Sequence, residues 1–447
     1  MFNFCSKNLM IRSLIVLSIF LSFSKNGFSQ NIYNYNRSSL HLVLIDQGKY
    51  FGNKYLRGAF FQQAFPDNYD QNTIADCILF ISDYMNYKKK IQSQKERRKK
   101  TPTFLKTNAG NITKGITQIL GEDDELINEY VNDYIDEKEI ARKLVAKWFL
   151  RDSLGTFSMD EVMKRGGYNA SLIEARTAEN SAMGYNLLGD AGIELVNNTF
   201  VLFTNLNLVD NDPFIDELRF STSGRWNTMK KGRFTSLADK AKSKVVDKLK
   251  NGFTIWTTGY LYRLKWTKEI ENIFFSEFWI SRNGIDEDRK ARFDESDIFE
   301  LEFIGHTYAQ SLVTEKLLQE EEEETIVTRA TIRNVESCFA KLQKQYDEFK
   351  PIVPLLSTDP LSARIGKKEG LEGNEKFEIL EITENPETGI QSLSRVKTIK
   401  VDKKKIWDNR FGAVELLESL GEKQIDRTHF KGSSSKIRKG MLIRQIK

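Results

Sequence analysis

Histidine, cysteine, acidic and basic residues are where this 447-residue chain could do chemistry, and their spacing rules out most of the familiar kinds. His41, His306 and His429 are far apart and in no HExxH-like pairing, so they read as structural or surface groups, not as zinc ligands or a relay. No GxSxG nucleophile elbow and no GxxxxGKS/T phosphate loop is present. The glycine-rich stretch from Gly366 to Gly373 (GKKEGLEG) lacks the Ser or Thr after lysine and reads as turn chemistry. Cys338 would be a nucleophile only beside a histidine, and its neighbours Val335 and Phe339 place it on the apolar stripe of a helix. Among 62 carboxylates a glycosidase-like pair could arise anywhere. Asp46 alone is singled out, because it ends the first apolar strand, where open α/β sheets place site residues. No catalytic residue, metal ligand or cofactor site is assigned.

The strongest electrostatic feature is residues 88–100 (KKKIQSQKERRKK), in which Lys88, Lys89, Lys90, Lys95, Arg97, Arg98, Lys99 and Lys100 face a single acid, Glu96. Such a block can bind phosphate groups, lipid headgroups or an acidic protein, or can be a solvated face with no partner. These eight residues are the candidate interaction site. The acidic run Glu320 to Glu324 is an alternative partner within the same chain.

The elements that must position these groups begin with an address. Lys7 and Arg12 precede a largely apolar run from Leu14 to Phe23, followed by small residues at Gly27 and Ser29, which is the layout of a secretory signal peptide cleaved near Ser29. An apolar run of about ten residues is too short to span a bilayer, so no transmembrane span is expected in the mature chain. Export makes nucleic acid an unsuitable partner. Residues 1–30 carry three cations and no acid, so removing them lowers the net charge from +5 to +2. Cys77 and Cys338 remain, either paired in an oxidising compartment or simply small buried side chains.

Leu40 to Ile45 (LHLVLI) reads as a buried strand. Ile74 to Tyr84 has helical spacing, and residues 126–150 carry a stripe of Ile127, Tyr130, Val131, Tyr134, Ile140, Leu144 and Trp148 that reads as one long helix. Ser158 with Glu161 forms a capping-box pattern ahead of a short helix, and further helices are expected at 171–188 and 237–249. Phe200 to Phe203 begins a strand, and the order of elements suggests a mixed sheet. Phe253 to Trp266, Ile273 to Ile280 and Ile298 to Ile304 read as antiparallel aromatic strands, residues 308–324 as a helix, and Thr331 to Phe349 as another. Pro351, Pro354 and Pro360 mark a linker at 351–360. Beyond it, Ala363 to Ile365, Lys376 to Thr383, Ser392 to Val401 and Met441 to Ile446 alternate like short strands of a small barrel. The reading is an α+β protein: signal peptide 1–30, a mixed α/β domain 31–350 with aromatic strands at 253–304, a proline-rich linker 351–360, and a β-barrel module 361–447.

Arg364-Ile365-Gly366, Gly370-Leu371 and Gly373 through Phe377-Glu378-Ile379-Leu380 resemble the small β-barrels of periplasmic assembly proteins, such as those of flagellar assembly. Leu187 to Phe203 (LLGDAGIELVNNTFVLF) is similar to the helix-to-strand step of curli-secretion-like envelope proteins, and the FSQ junction and residue usage resemble those of Bacteroidetes envelope proteins. The resemblance implies a periplasmic or outer-envelope protein and brings no catalytic residue. The expected function is non-catalytic binding of envelope proteins or an anionic envelope polymer in an assembly or scaffold role, with strand addition to an exposed barrel edge as one mode. The alternative is a carboxylate-based envelope hydrolase, marked by carboxylates gathered around Asp46 in a closed pocket.

Overall fold

The computed structural model describes residues 38–46, 53–81, 127–162, 165, 195–210, 252–282, 284–313, 322–384, 391–414, 421, 425–433 and 435–446. The expected signal peptide, the basic block 88–100 and the helices expected at 171–188 and 237–249 lie outside the described residues. Among the described residues no helix is long and apolar enough to cross a membrane. The chain is α+β, built from a mixed six-stranded sheet with helices on both faces and a closed antiparallel ring of six strands.

β1 (Ser39–Asp46) is the parallel centre of the mixed sheet. It pairs with β4 (Thr199–Asp210) on one side and with the short β2 (Asp70–Gln71) and β3 (Ile78–Phe80) on the other. β4, β5 (Phe253–Leu264) and β6 (Leu301–Val313) continue it as an antiparallel meander. Because alternate side chains point to opposite faces, Leu44 of β1 packs with α1 (Asn53–Gln62) and with the long helix α6 (Glu323–Gln345). Val43 and Ile45 pack on the other face with α2 (127–137) and α3 (Ile140–Trp148). Both faces being covered explains why β1 is a nearly unbroken apolar run.

The expected single helix at 126–150 is two. After Tyr134 the next positions of the stripe are Glu137 and Lys138, and the apolar pattern resumes at Ile140 out of phase. The chain resets by placing Glu139 in the left-handed region (φ 53°). Of the helix expected at 74–84, the described residues 74–81 hold the three-residue β3 instead, and β6 runs on to Val313 through residues assigned to a helix from 308. Ile273 to Ile280 is not a strand: α4 (Lys268–Ile273), capped by the Thr267 side chain, continues into a single π turn at Phe274–Phe278. That turn lodges its rings, with Phe293 of α5 (Glu287–Asp294), in a cluster that includes Phe149, Phe157, Trp266 and Phe299.

The proline-rich linker is corrected most plainly: Ile352–Thr358 is β7, the first strand of the ring. Leu355 donates to the Met441 carbonyl and accepts from the Gly440 amide, so its polar groups face β12 (Leu442–Gln445). Pro354, one residue earlier, therefore turns its missing N–H to the opposite side, where pairing with β8 (Leu361–Ala363) starts only at Leu355. β9 (Lys376–Glu384), β10 (Gln391–Val401) and β11 (Thr428–Lys431) complete the ring in the order β10-β11-β8-β7-β12-β9. Its core is Val353, Ile365, Phe377, Ile379, Ile399 and Ile443 with their neighbours. Closure leaves no long free edge, which removes the basis for strand addition to the barrel.

The mixed sheet also guards its edge. β6 is the outer strand, and two α6-side groups occupy its carbonyls: Lys341 Nζ donates to Tyr308 at 2.8 Å and the Tyr346 hydroxyl to His306 at 3.3 Å. Tyr346 reaches over because Gly305, in a bulge with φ 157°, has no side chain, and a Cβ there would collide with the Tyr346 ring. Gly305→Val should cost about 1–3 kcal/mol by forcing this overlap. Thermal melting checks it, and wild-type stability would mean that Tyr346 is not held over the strand.

α2 is stitched to β3 by the Tyr134 and Tyr130 hydroxyls, which donate to the Ile78 and Phe80 carbonyls at 3.2 and 3.5 Å.

Candidate functional site

Asp46 sits where sequence reasoning put it, at the C-terminal end of β1, with its main-chain carbonyl accepting from Ile81 N at 2.9 Å. Its side chain is 6 % exposed, and the nearest Arg57 nitrogen of α1 is 3.7 Å from Oδ2. The same guanidinium lies 5.8 Å from the centre of the Phe80 ring at the end of β3. One turn after Arg57 comes Phe61, so Phe80 and Phe61, 53 % and 48 % exposed, flank a half-exposed cation. Three elements thus converge on a small patch of two open rings and a guanidinium tethered to a buried carboxylate. Aromatic and arginine side chains with little conformational freedom are the usual anchors of protein contacts. Among the described residues, no group of three or more His, Cys, Asp or Glu could hold a metal ion.

Lys88, Lys89, Lys90, Lys95, Arg97, Arg98, Lys99 and Lys100 lie outside the described residues.

The remaining sequence candidates have structural places. His41 is fully buried on β1, with Nε2 donating to the Asp76 carbonyl at 3.0 Å; burial, with Lys147 adding to it, lowers its pKa to about 4, so it is neutral at pH 7. His306 is an exposed residue of β6, and burial together with the charges of Lys405 and Arg427 pushes His429 down. Cys338 is buried on α6, its thiol pushed up to about 12 by burial and donating to the Thr307 carbonyl at 3.5 Å, which makes it inert. Cys77 and Cys338 are both free.

Sequence reasoning missed the junction between α6 and the barrel. Glu336 of α6, 8 % exposed, accepts from the Phe411 amide through both oxygens at 3.2 Å, with Lys368 at 4.0 Å. Glu369, 5 % exposed, accepts from the Gly366 amide at 2.7 Å, from Asn409 at 3.0 Å and from Asn68 of the sheet domain at 3.1 Å. Burial pushes both carboxylates up. Next to them, burial also opposes ionisation of Asp408, but hydrogen bonds from Arg410 and Lys367 outweigh it and hold the carboxyl at about 2. The Gly-Lys-Lys-Glu spacing at 366–369 carried the capping signal for this turn; Asn68 and Glu336 had none, because only the fold brings them near.

No family model matches the chain, and no curated protein matches it in sequence.

Proposed function

We propose that this is an exported envelope protein that binds other envelope proteins or an anionic envelope polymer and acts in assembly or as a scaffold, without catalysis of its own. The observation that carries this reading is the patch at the end of β1, where Phe61, Phe80 and Arg57 are open to solvent around a carboxylate that has an arginine for its neighbour. Closure of the barrel and the capped carbonyls of β6 favour recognition through side chains over strand addition. The sequence pattern of export and the resemblance to periplasmic assembly proteins support an envelope setting for that recognition.

Crosslinking in the native host followed by pull-down tests it, comparing the wild type with Arg57→Glu/Phe80→Ser. Both residues are about half exposed, and thermal melting of the variant checks that the fold stands once Asp46 loses its arginine. A defined set of envelope partners is expected with the wild type and a loss of about tenfold or more with the variant. No partner above background, together with cleavage of envelope polymer by the purified chain, overturns the proposal in favour of the hydrolase.

A further inference from the structure

The outer face of the barrel concentrates lysine. Lys400 of β10 lies directly opposite Lys376 of β9 on one side and Lys431 of β11 on the other, so three ammonium groups share one cross-strand row. Strand spacing of about 4.8 Å makes that row about 10 Å long, so each ammonium group lies well within the Debye length of about 8 Å at physiological salt from its neighbour. Like charges directly opposite each other destabilise a sheet, so nothing in barrel folding favours this row. The turn after β10 adds Lys403, Lys404 and Lys405, all exposed. Asp402 shapes that turn, its main-chain carbonyl accepting from Lys405 N at 2.8 Å and its side chain from Lys404 N at 3.3 Å.

Asp402 is also the one carboxylate, among the described residues, in an ion pair with any of these six lysines, at 3.1 Å from Lys431. The acids beside Lys376 are committed elsewhere: Glu375 accepts from the amides of Glu372 and Gly373, and Glu378 pairs with Arg444. Six cations against one anion leave a patch of net charge +5.

We propose that this lysine cluster docks the barrel on an anionic phospholipid surface. Three features select that occupant. Every cation is lysine, a flexible point charge suited to a diffuse field of headgroups, with none of the planar forks that arginine offers to a single phosphate. The cluster extends in two dimensions, a row across three strands and a turn beyond their ends, which matches a surface of headgroups better than a single line of charges. Beside Lys376 lies Ile446, 37 % exposed, whose amide bonds the Lys376 carbonyl and which offers an apolar contact at the same surface. The proposal is independent of the patch at Asp46, since vesicle binding by the purified chain needs no protein partner.

The test is co-sedimentation of the purified mature chain with vesicles of phosphatidylcholine alone or with about one third phosphatidylglycerol, at low and at about 0.5 M salt. Binding is expected only to the anionic vesicles and only at low salt. Each lysine near such a surface contributes about 1 kcal/mol, so Lys403→Gln/Lys404→Gln/Lys405→Gln should lower the partition coefficient about a hundredfold. Lys400→Gln should weaken binding while leaving the melting temperature equal or higher, because it relieves the repulsive row. A second variant with the eight cations of 88–100 changed to Gln should retain binding through the barrel. Loss of binding in that variant with full binding by the barrel variants overturns the proposal, as does binding to soluble dextran sulfate without binding to vesicles.

Discussion

Phe274→Ala should lower the unfolding free energy by about 3–5 kcal/mol, the cost of removing a fully buried aromatic ring from a packed core. Phe274 is 0 % exposed and its ring centre lies 4.4 Å from that of Phe149, 5.0 Å from Phe157 and 5.5 Å from Trp266. It therefore holds together three segments: the loop after α3, the end of β5 and the π turn that carries it. Phe275 next to it is only partly buried, so Phe275→Ala should cost about 1 kcal/mol. Urea unfolding followed by near-ultraviolet circular dichroism reads the aromatic cluster directly. Equal losses for the two variants would mean that the cluster can collapse around either hole.

The second large effect is a pH dependence centred on His41. Its ordinary pKa of 6.5 applies to the unfolded chain, while burial holds it at about 4 in the fold. The unfolded state therefore binds the extra proton first as pH falls. Stability from this residue is complete above pH 6.5 and is lost progressively down to about pH 4, a difference of about 3 kcal/mol at 1.36 kcal/mol per pH. His41→Leu removes the titrating group and should flatten that limb of the stability curve, at the cost of the bond to the Asp76 carbonyl. Glu336 and Glu369 act with the opposite sign. Burial raises their pKa values in the fold, so their contribution is present at low pH and lost as pH rises through the folded values. The double variant Glu336→Gln/Glu369→Gln should therefore make the acid loss steeper in chains that keep His41. Unfolding midpoints between pH 4 and 7 check both, and a His41→Leu chain as acid-sensitive as the wild type would refute the assignment.

What the sequence revealed follows from how local each signal is. β1, β4 and β5 are long apolar or alternating runs that announce themselves without tertiary help. α6 is expected from Thr331 to Phe349 but runs from Glu323 to Gln345; its acidic first turn looks like the end of a preceding helix. β3 does not announce itself: three paired residues inside IADCILFISDY are too few to separate a strand from a helix by spacing. Ile273 to Ile280 misled for another reason. Rings on all sides suit a doubly covered strand as well as a helical turn sunk in aromatic neighbours, and only the Thr267 cap favours the latter. The prolines at 351–360 marked an extended backbone correctly, but that one neighbour of β7 begins only at Leu355 is a fact of sheet register. Asp46 was legible because a strand end is visible in sequence. Arg57 and Phe80 were not, since the fold brings together residues 11 and 34 positions further along the chain.

The ring closes through β12, which pairs with β7 on one side and with β9 on the other. A chain shortened before Leu442 would leave β7 and β9 each with a bare row of backbone groups, the arrangement most prone to pairing with another molecule. Four residues at the seam thus decide whether the module is sealed or sticky.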